Sequence, residues 1–377
     1  MRVLTVNVGS SSVKLSVVDD GDRLVAAETL PVQAGRIDED AVTDVVVAQP
    51  RIDAVGHRVV HGGPEFMAPV LVDSRVRRRL DALVDLAPLH LPRSLAGLDL
   101  IGRLLPEAPA VACFDTAFHA HLPQAASTYA LPAEWRRRWA LRRYGFHGLS
   151  HAWAAQRAAE LAGQPVDALR AVTCHLGAGA SLAAVAFGSS VDTTMGFTPL
   201  EGLVMATRSG TVDPGLVLWL EEHAGLPPAE LASTLEHRSG LLGLAGTDDM
   251  RDVLGAEAAG DEDAVVAVAV YLHRLRAGIC AMAGAMSGLD VLVFTGGVGE
   301  RAPSIRSRAA AGLGFLGVLL DEDANAGSRP DAELSATGSA VRSFVVTARE
   351  DLQITHEVRD VLGARPQSPS AESSRRT

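Results

Sequence analysis

Cysteine is scarce in this sequence, in which 377 residues include only Cys113, Cys174 and Cys280. An odd number of widely spaced cysteines excludes a disulfide framework and a cysteine-rich zinc site, and it predicts reduced, buried thiols. The strand-like residues 2–6 follow the first residue directly, which leaves no room for a secretory leader. A cytoplasmic protein is therefore expected.

Positive charge is also in deficit. The chain has 34 Lys and Arg against 45 Asp and Glu, a formal net charge of −11, which argues against binding nucleic acid through bulk electrostatics. The most apolar run, residues 264–287, contains His273, Arg274 and Arg276, so it predicts a buried helix and no membrane span. With 47% hydrophobic residues, the length fits two domains.

The G-x-x-x-x-G-K-[ST] phosphate loop is absent from the sequence. Two strand–turn–strand segments are present instead, with turns at residues 9–12 and 177–181, and Lys14 just follows the first turn. Hydroxyls, bare N–H groups and a lysine suit an anion, although a polar hairpin tip is the plainer interpretation. Because the pattern heads both halves of the chain, it predicts a duplicated α/β domain with one phosphate loop in each half.

A third glycine cluster follows the apolar strand at residues 291–295. Gly296, Gly297 and Gly299 permit a close approach of the backbone to a ligand, and Pro303 is typical of a helix start. A tight strand–helix turn explains the cluster equally simply. Beside two phosphate loops, a nucleotide site becomes the favoured interpretation.

Several polar residues between these loops are candidates for chemistry. Arg58 begins a Gly-rich turn, while a metal site made by His57 and His61 would need a helix that Gly62–Pro64 disfavours. Asp115 ends a buried strand, a position typical of a magnesium ligand, of a catalytic base or of a helix cap. His147 is flanked by glycine, which favours ligand contact, and Ser150 is a candidate cap for a helix extending to Gly163.

The stretch from Asp192 to Asp213 lacks any helical or strand period and contains one cation, Arg208. Long irregular segments in compact domains are often binding loops. Loops are also predicted at 237–252 and 321–335, a strand at 341–347 and a helix from about 349. The Ser/Pro/Arg-rich residues 364–377 predict a disordered tail.

Taken together, these motifs resemble the acetokinase family of the actin and sugar-kinase superfamily. The match runs from Asn7 to Leu352 in the expected order. Its most specific segments are His57–Gly63, Phe114–His119, Arg142–Gly148, Met195–Met205 with Thr207–Gly210, and Phe294–Glu300. The resemblance implies an α/β fold of duplicated ribonuclease-H-like domains, in which mixed sheets are flanked by helices around an interdomain cleft. The expected domains are 1–150 plus about 350–363, and 151–349.

The resemblance implies reversible transfer of a phosphoryl group from ATP to acetate, giving acetyl phosphate and ADP, with Mg²⁺ (or Mn²⁺) and in a homodimer. The implied binding roles fall into five sets. Asn7, Ser10, Ser12 and Lys14 form a phosphate and metal loop; Asp115 and Glu350 serve the metal; Arg58, Arg208 and His147 hold the carboxylate and the phosphoryl group, with His90 in support; Val60, Leu89, Phe146 and Pro199 line a methyl pocket; His175, Leu176, Gly177, Ala178, Gly179, Asp249, Met250, Arg251, Gly297, Val298, Gly299, Glu300 and Arg301 line the nucleotide.

The sequence departs from the family pattern at five places, all close to implied binding residues. Ala178, Leu91 and Arg301 each stand where the family has an asparagine, and Thr211 stands where it has an aspartate. Residues 347–352 read T-A-R-E-D-L in place of P-T-N-E-E-L. Two alternatives therefore stay open beside acetate kinase activity. One is a propionate or butyrate kinase, and the other is a nucleotide-binding homologue that has lost turnover and acts as a sensor or scaffold.

Overall fold

The computed structural model describes residues 1–9, 12–32, 37–49, 51–88, 91–327 and 329–363. The chain forms two compact units. The first contains Met1–Val59, Ala68–Cys113 and the chain from Asp351 onward, and the second contains Val60–Met67 and Phe114–Glu350. The expected domain boundary near residue 150 remains a prediction.

The first unit is built on a six-stranded mixed sheet. Strand β1 pairs antiparallel with β2, which pairs antiparallel with β3, and β1 pairs parallel with β4 on its other side. The strand order is β3-β2-β1-β4-β6-β5. Its elements are β1 (Val3–Val8), β2 (Ser12–Val18), β3 (Leu24–Pro31), α1 (Glu39–Val47), β4 (Ala54–Val59), β5 (Val70–Leu71), α2 (Ser74–Asp81), α3 (Leu91–Leu104), β6 (Ala110–Phe114) and α15 (Glu350–Val361).

The second unit repeats this plan with a larger set of helices. Its elements are α4 (Gln124–Ser127), α5 (Ala133–Arg138), α6 (Gly148–Ala162), β7 (Arg170–Leu176), β8 (Ala180–Ala186), β9 (Ser189–Thr193), α7 (Pro214–Glu222), α8 (Pro228–His237), α9 (Gly240–Ala245), α10 (Met250–Ala258), α11 (Glu262–Ala285), β10 (Val291–Thr295), α12 (Gly296–Arg301), α13 (Pro303–Ala311), α14 (Glu322–Gly327), β11 (Ala332–Glu333) and β12 (Arg342–Val345).

The second sheet has the order β11-β12-β10-β7-β8-β9. Read from its β9 end, this is the first sheet's order with each strand replaced by its counterpart. Strand β7 pairs antiparallel with β8 and parallel with β10, as β1 does with β2 and β4. Asn7 faces Lys14 across the first hairpin, and His175 faces Ser181 at the same place in the second. The predicted duplication of a mixed-sheet α/β fold is confirmed.

Helix α11 lies in the core of the second unit. Its buried side chains include Ala267, Val268, Leu272, Leu275 and Ile279, which pack in one cluster with strands β7, β8 and β10. Among the described residues, α11 is the one helix long and apolar enough to cross a membrane by length and composition. Core helices pass the same test, and its packing is that of a core helix.

Three local predictions were wrong. The predicted loop at 237–252 contains α9 and the start of α10, and the predicted loop at 321–335 contains α14 and β11. Ser150 lies inside α6, whose cap is His147, and the Ser150 hydroxyl instead bonds Nδ1 of His175. The glycines and acidic residues that suggested loops sit at helix ends, where Asp249 and Gly246 serve as caps.

Candidate active site

The turn between β7 and β8 is the centre of the second unit's candidate site. Gly177 donates its backbone N–H to the carbonyl of Gly179 at 3.0 Å, which closes the three-residue turn. The carbonyl of Ala178 accepts from the amide of Ala206 at 3.0 Å, which ties the irregular stretch containing Arg208 to this turn. The exposed Ala178 side chain forms the tip.

His147 is held beside this turn in an unusual backbone conformation. Its φ of 55° and ψ of 24° are left-handed, a region uncommon for residues other than glycine and concentrated at functional sites. Nδ1 of the ring lies 2.9 Å from Oγ of Ser181, and the ring packs against His175 with centroids 4.4 Å apart. Gly148 allows this geometry, because a Cβ there would lie 2.2 Å from the carbonyl of Asp115.

The Arg208 side chain, which comes from the irregular stretch 192–213, also approaches the β7–β8 turn. Its Nη1 donates to the carbonyl of Pro199 at 3.3 Å. A Cβ built on Gly179 would lie 3.1 Å from Nε2 of His147 and 3.7 Å from Nη1 of Arg208. Two nitrogen-bearing side chains therefore converge on the small volume above Gly179, an arrangement suited to an anion.

The backbone around Arg208 is fixed by contacts that leave little freedom. Ser239 donates its amide to the carbonyl of Thr207, and Ser209 donates to that of Leu235. Gly240 has a φ of 62°, and a Cβ there would lie 2.7 Å from the carbonyl of Arg208. The predicted binding loop is thus irregular, but backbone hydrogen bonds hold the residues before and after Arg208 in place.

A polar cluster supports the other part of this loop. The Tyr129 hydroxyl donates to Glu201 at 2.7 Å, and Arg143 bonds the other oxygen of that carboxylate at 2.8 Å. Burial raises the pKa of Tyr129. Thr211, which replaces the family's aspartate, accepts from the amide of Gly202 at 3.1 Å and so has a structural role in the loop.

Apolar side chains predicted to line a methyl pocket are buried in the second unit. Val60 is 5% exposed and Phe146 is 1% exposed, and both belong to its main hydrophobic cluster. Pro199 is partly exposed beside Arg208. Asp115, at the end of β6, is 1% exposed, and its carbonyl accepts from the amide of Gly148 at 2.9 Å.

The predicted nucleotide residues have different accessibility. His175, Gly177, Ala178 and Gly179 lie at the β7–β8 turn, whereas Leu176 is fully buried and offers only its backbone. In α12, Gly297 and Arg301 are exposed, and Val298 is partly buried. Gly299 is buried. The Glu300 carboxylate accepts hydrogen bonds from the backbone N–H groups of Gly296 at 3.1 Å and of Ala348 at 3.0 Å. Glu300 therefore fastens the start of α12.

Asp249, Met250 and Arg251 form the start of α10. Asp249 caps this helix by accepting from the amide of Arg251 at 2.8 Å. Hydrogen bonds from the Arg251 side chain and backbone lower the pKa of Asp249 to about 2. Met250 is 5% exposed and packs in the core, so any contact it makes with a nucleotide would use its backbone.

The first unit holds a polar group at the ends of two parallel strands. Nη1 of Arg58 donates to Oδ1 of Asn7 at 3.0 Å, and Lys14 is exposed opposite Asn7 on β2. Ser12 is partly buried at the start of β2. The predicted residues Ser10, Leu89 and His90 lie outside the described residues.

The residues predicted to serve a metal offer oxygen ligands, which is the chemistry Mg²⁺ prefers. They are the amide of Asn7 and the carboxylates of Asp115 and Glu350. Within the part of the chain that the structure describes, no group of three or more His, Cys, Asp or Glu is placed to hold a metal ion. The donor types fit Mg²⁺, and the site remains a prediction.

Sequence reasoning missed residues that position this site from beneath. Ser181, His151 and Thr173 form a hydrogen-bonded chain behind His147. Arg306, 1% exposed, donates from Nη1 to the carbonyls of Gly299 at 2.8 Å and Glu300 at 2.9 Å. The partners lie on distant segments or on the backbone, so local sequence spacing gave no signal for them.

Comparisons with known proteins show the family to which this chain is similar. The sequence model of the Acetokinase family matches residues 27–356. An acetate kinase from Dictyoglomus turgidum is 42% identical over 397 aligned residues, covering 96% of this chain and 98% of the relative. The crystal structure of Porphyromonas gingivalis acetate kinase superposes with a TM-score of 0.88 at 35% identity, covering 96% of this chain and 99% of that one.

A propionate kinase from Francisella tularensis superposes equally well. Its crystal structure gives a TM-score of 0.89 at 33% identity, covering 96% of this chain and 99% of that one. The family match, the extended identity and the convergence of His147 and Arg208 above Gly179 lead to one conclusion. This chain is a member of the acetokinase family.

Proposed function

We propose that this chain is a magnesium-dependent acetate kinase. A carboxylate oxygen of acetate attacks the γ-phosphorus of ATP, an O–P bond forms, the bond between that phosphorus and the β–γ bridging oxygen breaks, and ADP leaves. The observation that carries the proposal is the convergence of His147 Nε2 and Arg208 Nη1 above Gly179, in a chain of this family.

The chemistry asks for cations and positioning more than for a base. Acetate is already ionised near pH 7, so no strong general base is required. A loose, in-line phosphoryl transfer develops charge on the equatorial oxygens of the transferred group. On this proposal, Arg208 and His147 stabilise that charge.

The remaining roles follow the chemistry of each group. Arg58, oriented by its bond to Asn7, binds an anionic oxygen, because a guanidinium fork suits a carboxylate or a phosphoryl group. Lys14 and Ser12 bind phosphate. The backbone of the β7–β8 turn and of α12 binds the nucleotide. Asn7, Asp115 and Glu350 would hold Mg²⁺, which when bound adds positive charge at the phosphate oxygens.

A propionate kinase is the second candidate. The similarity to a propionate kinase of known structure favours it, while the buried, close-packed Val60 and Phe146 favour a small acyl group. One methylene in an apolar pocket is worth only about 1–3 kcal/mol, so acceptance of both acids with a preference for acetate is expected.

The deciding experiment traps acyl phosphate with hydroxylamine in the presence of ATP, Mg²⁺ and acetate, propionate or butyrate. Wild type should form acyl phosphate fastest with acetate. The variant Arg208→Ala should lose about 2.7–4 kcal/mol of transition-state stabilisation, roughly a 10²–10³-fold fall in rate. Arg238→Ala is the matched control, because this arginine is exposed and bonds Thr234 on its own helix turn. No acyl phosphate from any of the three acids would overturn the proposal and favour a sensor or scaffold.

The proposal includes a cytoplasmic homodimer. The exposed apolar residues Val265 and Val266 of α11 support an interface there, since such residues gain from burial against a partner. Light scattering of the purified protein would test it, and a monomer mass at micromolar concentration would contradict it.

A further inference from the structure

Behind His147 lies a chain of hydrogen bonds that the reaction as described does not use. Nδ1 of His147 lies 2.9 Å from Oγ of Ser181, and the same hydroxyl lies 2.7 Å from Nε2 of His151. Nδ1 of His151 lies 2.7 Å from Oγ1 of Thr173. Thr173, Ser181 and His151 are fully buried, so each of their hydrogens must be accounted for within the protein.

His151 has one hydrogen to place. Burial lowers its pKa well below the ordinary value, and the nearby His119 and His175 act in the same direction. The ring is therefore neutral, with one nitrogen donating and the other accepting. Since each nitrogen faces a hydroxyl at 2.7 Å, both hydroxyls must orient to match whichever nitrogen has the hydrogen.

One arrangement satisfies every group at short distance. Thr173 donates to Nδ1 of His151, Nε2 of His151 donates to Ser181, and Ser181 donates to Nδ1 of His147. All three bonds are between 2.7 and 2.9 Å. His147 then accepts at Nδ1 and has its hydrogen on Nε2, the nitrogen that lies beside Gly179.

The reversed arrangement is poorer. If Nδ1 of His147 donated to Ser181, then Ser181 would donate to His151 and His151 to Thr173. The Thr173 hydrogen would be left with the carbonyl of Ala183 at 3.5 Å, the outer limit of a hydrogen bond. If Nδ1 of His147 and Nε2 of His151 both donated to Ser181, the hydrogen of that buried hydroxyl would lose its acceptor in this chain of bonds. If both nitrogens instead accepted, the single Ser181 hydrogen could serve only one of them, and two lone pairs would face each other at the other contact.

We infer that Thr173, His151 and Ser181 are positioning residues that fix the tautomer of His147, so that Nε2 presents a hydrogen to the transferring phosphoryl group. The inference rests on the proposed function for its catalytic meaning, and on the hydrogen-bond distances and the burial of His151 for the tautomer. A neutral histidine with a fixed Nε2–H donates to the developing charge without first losing or gaining a proton. Other groups that face the ring include His175, at 4.4 Å between centroids, and Arg208 across Gly179.

The direct test is a long-range ¹H–¹⁵N NMR spectrum of histidine-labelled protein, which shows for each ring nitrogen whether it has a hydrogen. The His147 signals are assigned by their loss in His147→Gln. Wild type should show His147 with hydrogen on Nε2 only, and hydrogen on Nδ1 or on both nitrogens would overturn the inference. This measurement needs no turnover, so it fails or succeeds independently of the acyl phosphate assay.

The kinetic test uses Ser181→Ala. We expect kcat to fall by about 10–100-fold, the range typical when the partner that orients a functional histidine is removed, with little change in either KM. The matched control is Ser190→Ala, which removes a buried serine–histidine bond of 2.7 Å to His119 that lies outside this chain of bonds. Equal effects of the two variants would contradict the inference.

A rescue test separates positioning from packing. In His151→Gln the amide N–H₂ can donate to Ser181, as Nε2 of His151 does, whereas His151→Leu removes that donor from a residue of similar size. His151→Gln should keep more of kcat than His151→Leu, and its His147 spectrum should retain the Nε2 hydrogen. Equal loss of kcat in both, with the tautomer unchanged, would mean that His151 only fills space.

Discussion

Gly179 lies so close to His147 that a methyl group on its α-carbon would sit 3.1 Å from Nε2 of the imidazole. The glycine is needed for space and not for backbone freedom, since its φ lies outside the left-handed region. The same methyl group would be 3.7 Å from Nη1 of Arg208. A change of one carbon therefore tests the site without removing any charged group.

Gly179→Ala should lower kcat by about tenfold or more, because displacements well below 1 Å at a reacting centre are costly. The His147 ring cannot yield freely, since Ser181 and His175 hold it on two sides. Steady-state kinetics with acetate and ATP would measure the effect. Gly255→Ala, in open space on α10, is the control and should leave kcat unchanged. Equal kcat for both variants would show that the volume above Gly179 is not used.

Ala178→Asn should tighten ATP binding. The side chain at 178 is exposed while its carbonyl is fixed by Ala206, so an asparagine amide fits without moving the turn. One added hydrogen bond to a phosphate oxygen is worth about 1–2 kcal/mol, or roughly a 5–30-fold fall in the KM for ATP. Ala178→Leu adds similar bulk without a donor and should not lower that KM. An unchanged KM in Ala178→Asn would place the phosphates elsewhere.

Arg306→Met should destabilise the second unit and weaken the nucleotide site together. The buried guanidinium satisfies the carbonyls of Gly299, Glu300 and Asn325, and burial lowers the pKa of the guanidinium. Leaving buried acceptors unpaired costs about 1–3 kcal/mol each. Urea unfolding would measure the loss, and the KM for ATP should rise more than that for acetate.

The control for that variant is on the same helix. Arg308 forms an exposed pair with Glu257, an interaction worth only about 0–1 kcal/mol. Arg308→Met should therefore unfold at nearly the wild-type urea concentration. If Arg306→Met behaved in the same way, the carbonyls of α12 would not depend on the guanidinium.

Stability should fall as the pH drops below about 6.5. Burial lowers the pKa of His57 to about 4, and burial likewise lowers those of His61 and His119 to about 4. Each stays neutral in the folded chain and gains a proton on unfolding between the folded value and the ordinary value of 6.5. Between these two pH values the unfolded state binds more protons than the folded state. Each histidine therefore lowers the unfolding free energy by roughly 1.4 kcal/mol for every unit that the pH falls.

His57→Leu isolates one of these groups. The slope of unfolding free energy between pH 6 and pH 5 should be smaller than in wild type by roughly 1.4 kcal/mol per unit, while the slopes above pH 7 should coincide. Urea titrations at each pH give both slopes. Identical slopes at low pH would mean that His57 is protonated in the folded chain.

The sequence predicted those parts of the fold whose pattern of residues lies within a short stretch of the chain. The hairpins β1–β2 and β7–β8 were predicted because alternating apolar residues and Gly/Ser turns occur within a few residues. The strand β10 and the helix start at Pro303 were predicted for the same reason. Helices α9 and α14 were missed because each has six residues and little apolar period.

Candidate site residues could be predicted from the sequence where they belong to a recognisable motif. Residues that act through hydrogen bonds to distant parts of the chain were missed. His147 and Arg208 stand in recognisable motifs. Ser181 lies 34 residues from His147 in sequence, and Arg306 bonds carbonyls, which no side-chain pattern reports. The serines and threonines of a strand look alike in sequence until their neighbours are known.

The closing helix α15 gives the first unit an unusual order of assembly. A Cβ on Gly56 of β4 would lie 2.3 Å from Ile354 and 2.8 Å from Val358, so this strand is covered by a helix that is synthesised after the whole second unit. About 240 residues separate Cys113 from Asp351. At about 5–20 residues per second, their synthesis takes on the order of 10–50 s. During that interval the nascent first sheet has an uncovered apolar face, and the second unit is the first that can be completed.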